Sequence, residues 1–193
     1  MLSYKKSLEI LKATSAILDG HFILSSGLHS SQYVQCAQLL CKPDKAKIIC
    51  ESLAEKINKN FKKIDLILSP AMGGIIIGYE IGRLLKKETI FSERVDRIFS
   101  LRRGFNIPKN SNVLIVEDVI TTGKSSLECS KLVKECGAKI IGYACIIDRT
   151  NGLSQIKDKI VSQIELNIPV FKKEELPETL KNIQAIKPGS RGL

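Results

Sequence analysis

Apolar residues recur at helical spacing in two early stretches of the chain. Leu8, Leu11, Ile17 and Leu18 predict a helix over residues 4–18, ended by Asp19-Gly20. Pro43-Asp44 opens a second helix, with proline at a tolerated first-turn position, running to about Asn60. Between them, residues 21–31 are rich in Ser and Gly and lack helical periodicity, and residues 32–37 fit a short strand. After that the rhythm changes. Strands are predicted at residues 64–68, 89–91, 113–116 and 139–147, each a short, nearly continuous apolar run. Helices over residues 75–85 and 123–133 separate them, and Gly137 stands where a helix end favours a positive φ. Apolar strands alternating with helices predict an α/β fold, a central mostly parallel sheet flanked by helices on both faces. No repeat or low-complexity linker divides the 193 residues, so a single domain spanning 1–193 is expected. The stretch from Pro188 onward is expected to be frayed.

Composition narrows the partners. Thirty Lys and Arg against twenty Asp and Glu give a net charge of +10, which favours anionic ligands without choosing among them. No apolar run is long enough to span a membrane, and residues 1–6 lead straight into an amphipathic pattern rather than a cleavable signal. A cytosolic protein is expected. The six cysteines form no C-x-x-C pair, and only His21 and His29 could join them, so a zinc site is not expected. The cysteines read as small buried hydrophobes in a reducing compartment.

Residues 113–126 carry the chemistry. A buried strand delivers Glu117 and Asp118, a Thr121-Thr122-Gly123 turn follows, and a helix begins at Lys124-Ser125-Ser126. Ligands of open α/β sheets bind beyond the carboxyl ends of the strands, and free amides at a helix start attract an anion such as phosphate. Thr121, Thr122 and Ser125 add hydroxyls, and Gly123 lets the backbone approach closely. The acids have the wrong sign for phosphate but suit sugar hydroxyls, or a ribose that becomes cationic. A phosphorylated ribose meets both requirements. Two decoys fail on spacing: Gly123-Lys124-Ser125 lacks the P-loop's first glycine because Asp118 stands there, and Gly73, Gly74 and Gly78 do not make G-x-G-x-x-G. The bland alternative is a strand, an acidic turn and a capped helix with no ligand, but two buried acids are costly without a role.

The run Val116-Glu117-Asp118-Val119-Ile120-Thr121-Thr122-Gly123-Lys124-Ser125 resembles the phosphoribosyl-diphosphate motif of type I phosphoribosyltransferases. Gly20-His21-Phe22-Ile23-Leu24-Ser25-Ser26-Gly27-Leu28-His29-Ser30 is similar to the N-terminal hood segment of the orotate phosphoribosyltransferases. Ser69-Pro70-Ala71-Met72-Gly73-Gly74 resembles their pyrophosphate loop, Leu101-Arg102-Arg103-Gly104-Phe105 the end of their catalytic loop, and Ile147-Asp148-Arg149 their base-contacting strand end.

This resemblance implies the type I phosphoribosyltransferase fold with a small hood, built mainly from residues 1–40 plus C-terminal elements. It implies transfer of ribose 5-phosphate from phosphoribosyl diphosphate to orotate, giving orotidine 5′-monophosphate and pyrophosphate in UMP biosynthesis. It implies that Glu117 and Asp118 face the ribose hydroxyls and stabilise an oxocarbenium-like transition state. Val119, Ile120, Thr121, Thr122, Gly123, Lys124 and Ser125 would complete the phosphoribosyl-diphosphate site, with Arg94 assisting. Ala71, Met72, Gly73 and Gly74 would hold pyrophosphate, and Thr121 and Arg149 orotate. A guanidinium suits orotate's carboxylate because it can grip it with two hydrogen bonds. Arg102 and Arg103 would act in catalysis across a homodimer. Mg²⁺ would be held mainly by substrate phosphates, with no dedicated protein ligands. His21 and His29 become hood residues rather than bases, with Phe22 and Tyr33 packing or lining the base.

Two departures stand out. Many relatives carry a Lys/His-rich loop where this chain has Glu93-Arg94-Val95-Asp96-Arg97-Ile98, and some place lysine at Ser25. The four arginines of residues 92–109, among only two acids, otherwise read as a solvated basic hairpin or mobile loop. Two other functions compete: a phosphoribosyltransferase for a purine or uracil, and a phosphoribosyl-diphosphate-sensing regulator that binds nucleic acid. The hood and Arg149 oppose the first. The second lacks a helix-turn-helix segment and an aromatic-interleaved basic patch, so neither nucleic acid nor membrane is expected as a partner.

Overall fold

The computed structural model describes residues 1–24 and 26–188; Ser25 and residues 189–193 of the tail lie outside the described residues. In chain order the elements are α1 (Tyr4–Ala13), β1 (Ile17–Ile23), β2 (His29–Val34), α2 (Ala37–Leu40), α3 (Pro43–Asn60), β3 (Leu66–Pro70), α4 (Gly73–Leu85), β4 (Glu88–Val95), β5 (Ile98–Ser100), β6 (Asn112–Ile120), α5 (Lys124–Glu135), β7 (Lys139–Asp148), β8 (Ile160–Glu165), β9 (Val170–Phe171) and α6 (Glu178–Lys181). Among the described residues no helix is long and apolar enough to cross a membrane.

Six strands form the main sheet in the order β5-β4-β3-β6-β7-β8. All neighbours are parallel except β5, which folds back antiparallel on β4. Side chains of a strand alternate between faces, and β6 shows it. Leu114 and Val116 join a core with Leu53, Ile57 and Ile77 of α3 and α4. Val113 and Ile115 join the opposite core with Cys129 and Val133 of α5. A second sheet, β1-β2-β9, is antiparallel and carries a bridge from Phe22 to Ile186.

Helix α4 lies unusually close to the sheet because of its glycines. A Cβ on Gly78 would fall 2.1 Å from Ser69 Oγ, and one on Gly82 1.9 Å from Thr89 Oγ1. These glycines therefore serve packing, and they set the loop ahead of α4 hard against the end of β6.

The N-terminal region departs from the pattern read in the sequence. The predicted helix over 4–18 ends at Ala13, and Asp19-Gly20 lies inside β1. Ile17 and Leu18 fit the helical spacing, but Thr14 caps the helix and Ser15 turns at φ 61°. The Thr14 hydroxyl bonds back to the Ile10 and Leu11 carbonyls, and the Leu11 carbonyl takes the Ala16 amide, so the next helical bond, from Ser15 to Leu11, is not made. The strand predicted at 32–37 starts earlier, at His29, because β2 is drawn into register with β1 and β9. Residues 92–109 open with the β4–β5 hairpin. Strand β6 runs to Ile120, past the predicted apolar run 113–116, so Glu117 and Asp118 lie within the strand with two further residues beyond them.

Candidate active site

Consecutive positions on β6 send Glu117 and Asp118 to opposite faces of the sheet. Glu117 continues the Val113 and Ile115 face toward α5. It is buried, and Ser126 Oγ donates to its Oε1. Burial pushes its carboxyl up to about 7; the Ser126 bond opposes this and the neighbouring Asp118 charge adds to it. Asp118 points to the α4 face and is half-buried. Burial raises its carboxyl too, against the backbone amides of Val119 and Asp118. It sits directly over the loop before α4: a Cβ on Gly73 would lie 2.8 Å and 2.9 Å from its two carboxylate oxygens. Gly73→Ala is therefore expected to displace Asp118 and lower kcat about 10- to 100-fold with a folded protein. Steady-state kinetics beside circular dichroism checks this.

Past β6 the chain forms an anion cup. Gly123 adopts φ 78° at the start of α5, and a Cβ there would press within 2.8 Å of Ile156. Gly123 has no side chain to cap α5; the Lys124 amide meets Thr122 Oγ1 at 3.4 Å, and the next amides, of Ser125 and Ser126, have no side-chain partner among the described residues and remain available to a ligand. Thr121, Thr122 and Lys124 are exposed around it, Ser125 is half-buried, and Val119 and Ile120 carry the strand into the turn.

Arg149 follows β7 and is tied to β6 through its amide, which donates to the Ile120 carbonyl at 2.8 Å. It opens on a cleft of about 910 Å³ that also touches Thr121, Leu127, Leu153 and Ile168. Its guanidinium is half-buried, and its Nε has no hydrogen-bond partner among the described residues. Burial alone draws its pKa below the ordinary value. A cation held this way lacks the anion that would stabilise it.

The loop cations are less available. Arg94 Nη2 pairs with Glu128 on α5 at 2.5 Å, and the guanidinium lies 4.0 Å over the Phe99 ring. Arg103 grips Glu93 with two bonds of 2.9 Å and 3.0 Å. Arg102 is exposed and has no ion-pair partner among the described residues. In the Ala71–Gly74 loop, the Ala71 amide donates to the Ser92 carbonyl at 2.8 Å, and Met72 is exposed. The structure thus brings Asp118, the Ala71–Gly74 loop, the cup and Arg149 to one edge of the sheet, with Arg94 and Arg103 engaged in ion pairs.

His21 and His29 are buried together in the small sheet, 2.6 Å apart between ring nitrogens, and His21 Nδ1 contacts the Ile183 carbonyl at 2.8 Å. Phe22 and Tyr33 pack ring to ring at 5.6 Å. All six cysteines are free, with Cys36, Cys50, Cys129 and Cys145 buried. Sequence reasoning passed over Ser126. Its signal is a serine on the buried face of α5, with Ser130 one turn later, beside Cys129 and Val133.

Residues 42–179 match the family model described as phosphoribosyl transferase domain. The chain is 46% identical over 181 residues to an orotate phosphoribosyltransferase of Rhizorhabdus wittichii, covering 93% of this chain and 92% of the relative. It is 45% identical over 181 residues to an orotate phosphoribosyltransferase of Erythrobacter litoralis, covering 93% and 94%. The crystal structure of orotate phosphoribosyltransferase from Aeropyrum pernix superposes with a TM-score of 0.70 at 24% identity, covering 82% of this chain and 92% of that one.

Proposed function

The chain belongs to the phosphoribosyl transferase domain family, and from that premise we propose that it is an orotate phosphoribosyltransferase. It joins orotate to phosphoribosyl diphosphate: a ring nitrogen bonds to the anomeric carbon of ribose, the carbon–oxygen bond to pyrophosphate breaks, and orotidine 5′-monophosphate results. The observation that carries the choice of base is Arg149, a half-buried guanidinium with an unpartnered Nε beside the phosphate cup. A carboxylate-bearing base supplies the missing anion; a purine or uracil does not.

The residues take these roles. The leading amides of α5, with Thr122 and Ser125, hold the 5-phosphate. Asp118 faces the ribose and offsets positive charge as the leaving group departs, and the free oxygen of Glu117 accepts from a ribose hydroxyl. The Ala71–Gly74 loop receives the diphosphate; Mg²⁺, held by the substrate's own phosphates, would offset their charge. Among the described residues, no cluster of three or more His, Cys, Asp or Glu side chains is built to hold a metal. Arg102, which like Arg97 has no ion pair among the described residues, is the cation of the Leu101–Phe105 segment free to meet pyrophosphate. Arg94 and Arg103 reach it only by leaving Glu128 and Glu93. The small sheet serves as the hood over the base.

The working form is a homodimer in the cytoplasm. Met72, Ile76 and Tyr79 form an exposed apolar stripe along α4, 82%, 55% and 68% accessible, the kind of face a second copy covers. Ile76→Glu is expected to shift sedimentation toward monomer, and an unchanged dimer moves the interface elsewhere. Six free cysteines suit a reducing compartment, which cell fractionation checks.

The activity is tested by incubating the protein with Mg²⁺, phosphoribosyl diphosphate and each base in turn, following pyrophosphate release. Turnover with orotate is expected. Turnover with hypoxanthine or uracil and none with orotate overturns the reading.

A further inference from the structure

A chain of buried hydroxyls stands behind Glu117, and the reaction as described makes no use of it. Ser126, on the first turn of α5, is 0% exposed; Ser130 is 4% and Tyr143 of β7 1% exposed. Ser130 Oγ donates to the Ser126 carbonyl at 2.9 Å and also contacts the Tyr143 hydroxyl. A hydroxyl carries one hydrogen, so Ser130 spends its own on Ser126 and Tyr143 must be the donor to Ser130. Ser126 Oγ then donates to Glu117 Oε1. Ser130 and Ser126 are thus joined through the Ser126 carbonyl rather than hydroxyl to hydroxyl: Tyr143 and Ser130 fix the helix turn that carries Ser126, and the Ser126 hydroxyl alone bonds the carboxylate.

Stability alone does not call for this arrangement. Burying three hydroxyls costs free energy that their bonds only offset, and Val133 fills a neighbouring site on the same helix face with no polar group to satisfy. The chain holds one oxygen of Glu117 and leaves the other without a protein donor among the described residues. We propose that the Tyr143–Ser130–Ser126 chain is a positioning device for Glu117, fixing one carboxylate oxygen so that the other meets a ribose hydroxyl of phosphoribosyl diphosphate. The ribose half of this inference rests on the functional reading above.

The same bond supports the ionised carboxylate. Glu117 faces Asp118 on its own strand and Glu128 from α5, both opposing its charge, and Arg94 from β4, which favours it. Cys129 of α5 and Cys145 and Tyr143 of β7 also face it, all kept protonated chiefly by burial. Without the Ser126 donor the carboxyl holds its proton to higher pH, so the acid limb of phosphoribosyl-diphosphate binding moves upward.

The test compares wild type, Ser126→Ala and Ser126→Thr, the last keeping the hydroxyl. Calorimetry reads the affinity for phosphoribosyl diphosphate with Mg²⁺ across pH 5.5 to about 9, a span that brackets the Glu117 value of about 7. In Ser126→Ala the acid limb is expected to rise by about one pH unit, with affinity at pH 7 falling about fivefold and approaching about tenfold only at the acid end of the span. Ser126→Thr is expected to restore the limb. Should Ser126→Ala not fold, Ser130→Ala is expected to move the limb the same way by less. A limb that stays in place in the folded variants overturns the proposal, because a merely structural loss lowers affinity at all pH values alike. A wild type that binds phosphoribosyl diphosphate but uses no orotate overturns the functional reading instead, and the binding limb still decides this one.

Discussion

Asp118→Asn is expected to lower kcat for orotate about 100-fold or more, while the melting temperature stays level or rises. The two halves of this result have separate causes. Asp118 lies over the Ala71–Gly74 loop, with its carboxylate against Gly73, the place the proposed reaction gives to ribose and leaving group. Its charge matters most when the ribose carries positive charge, so its loss is felt in the transition state. In the folded protein, burial raises the carboxyl above its ordinary value. An acid raised on folding opposes the fold at every pH above its unfolded value, and that opposition is complete above its folded value. Asparagine keeps the shape and removes the opposition. Kinetics and calorimetry on the same preparation separate the effects; an unchanged kcat removes Asp118 from the chemistry.

The second large effect concerns the base. Arg149→Ala is expected to raise the KM for orotate about 10- to 100-fold, the scale of one or two charge-assisted hydrogen bonds, and to leave the KM for phosphoribosyl diphosphate nearly unchanged. The protein should not lose stability, because a half-buried guanidinium with an unpartnered Nε contributes little to the fold. Arg149→Lys is expected to recover only part of the affinity, since an ammonium cannot match a planar carboxylate with two parallel bonds. An equal rise in both KM values marks structural damage and takes Arg149 out of the base site.

The main sheet was legible because burial on both faces leaves a simple mark. Val113 to Val116, Leu66 to Leu68 and Tyr143 to Ile147 are apolar without alternation, and helices separate them. The N-terminus was harder to read. Ile17 and Leu18 fit a helix and a strand equally well, and the partners that settle the matter, β2 and then β9, include residues 170–171, far along the chain. The acids were legible as a pair, but their division between two faces followed from how far β6 runs. Sequence reasoning put them side by side at the strand's carboxyl end, as a pair turned to one sugar. Inside a strand, consecutive side chains take opposite faces. Arg94 and Arg103 were visible as charge, yet Glu128 and Glu93, which hold them, become partners only when the β4–β5 hairpin and α5 are set in place.

By itself, then, the order of residues determined the alternating architecture, the acid-then-glycine turn and the cationic loop, because periodicity, backbone freedom and charge are local properties. Tertiary structure alone decided which carboxylate is buried and which faces the loop, that the buried Nε of Arg149 has no partner among the described residues, and that Ser126 stands behind Glu117. Those outcomes depend on distances between elements far apart in the chain. Packing sets such distances: a helix drawn close to its sheet by Gly78 and Gly82 moves everything attached to it.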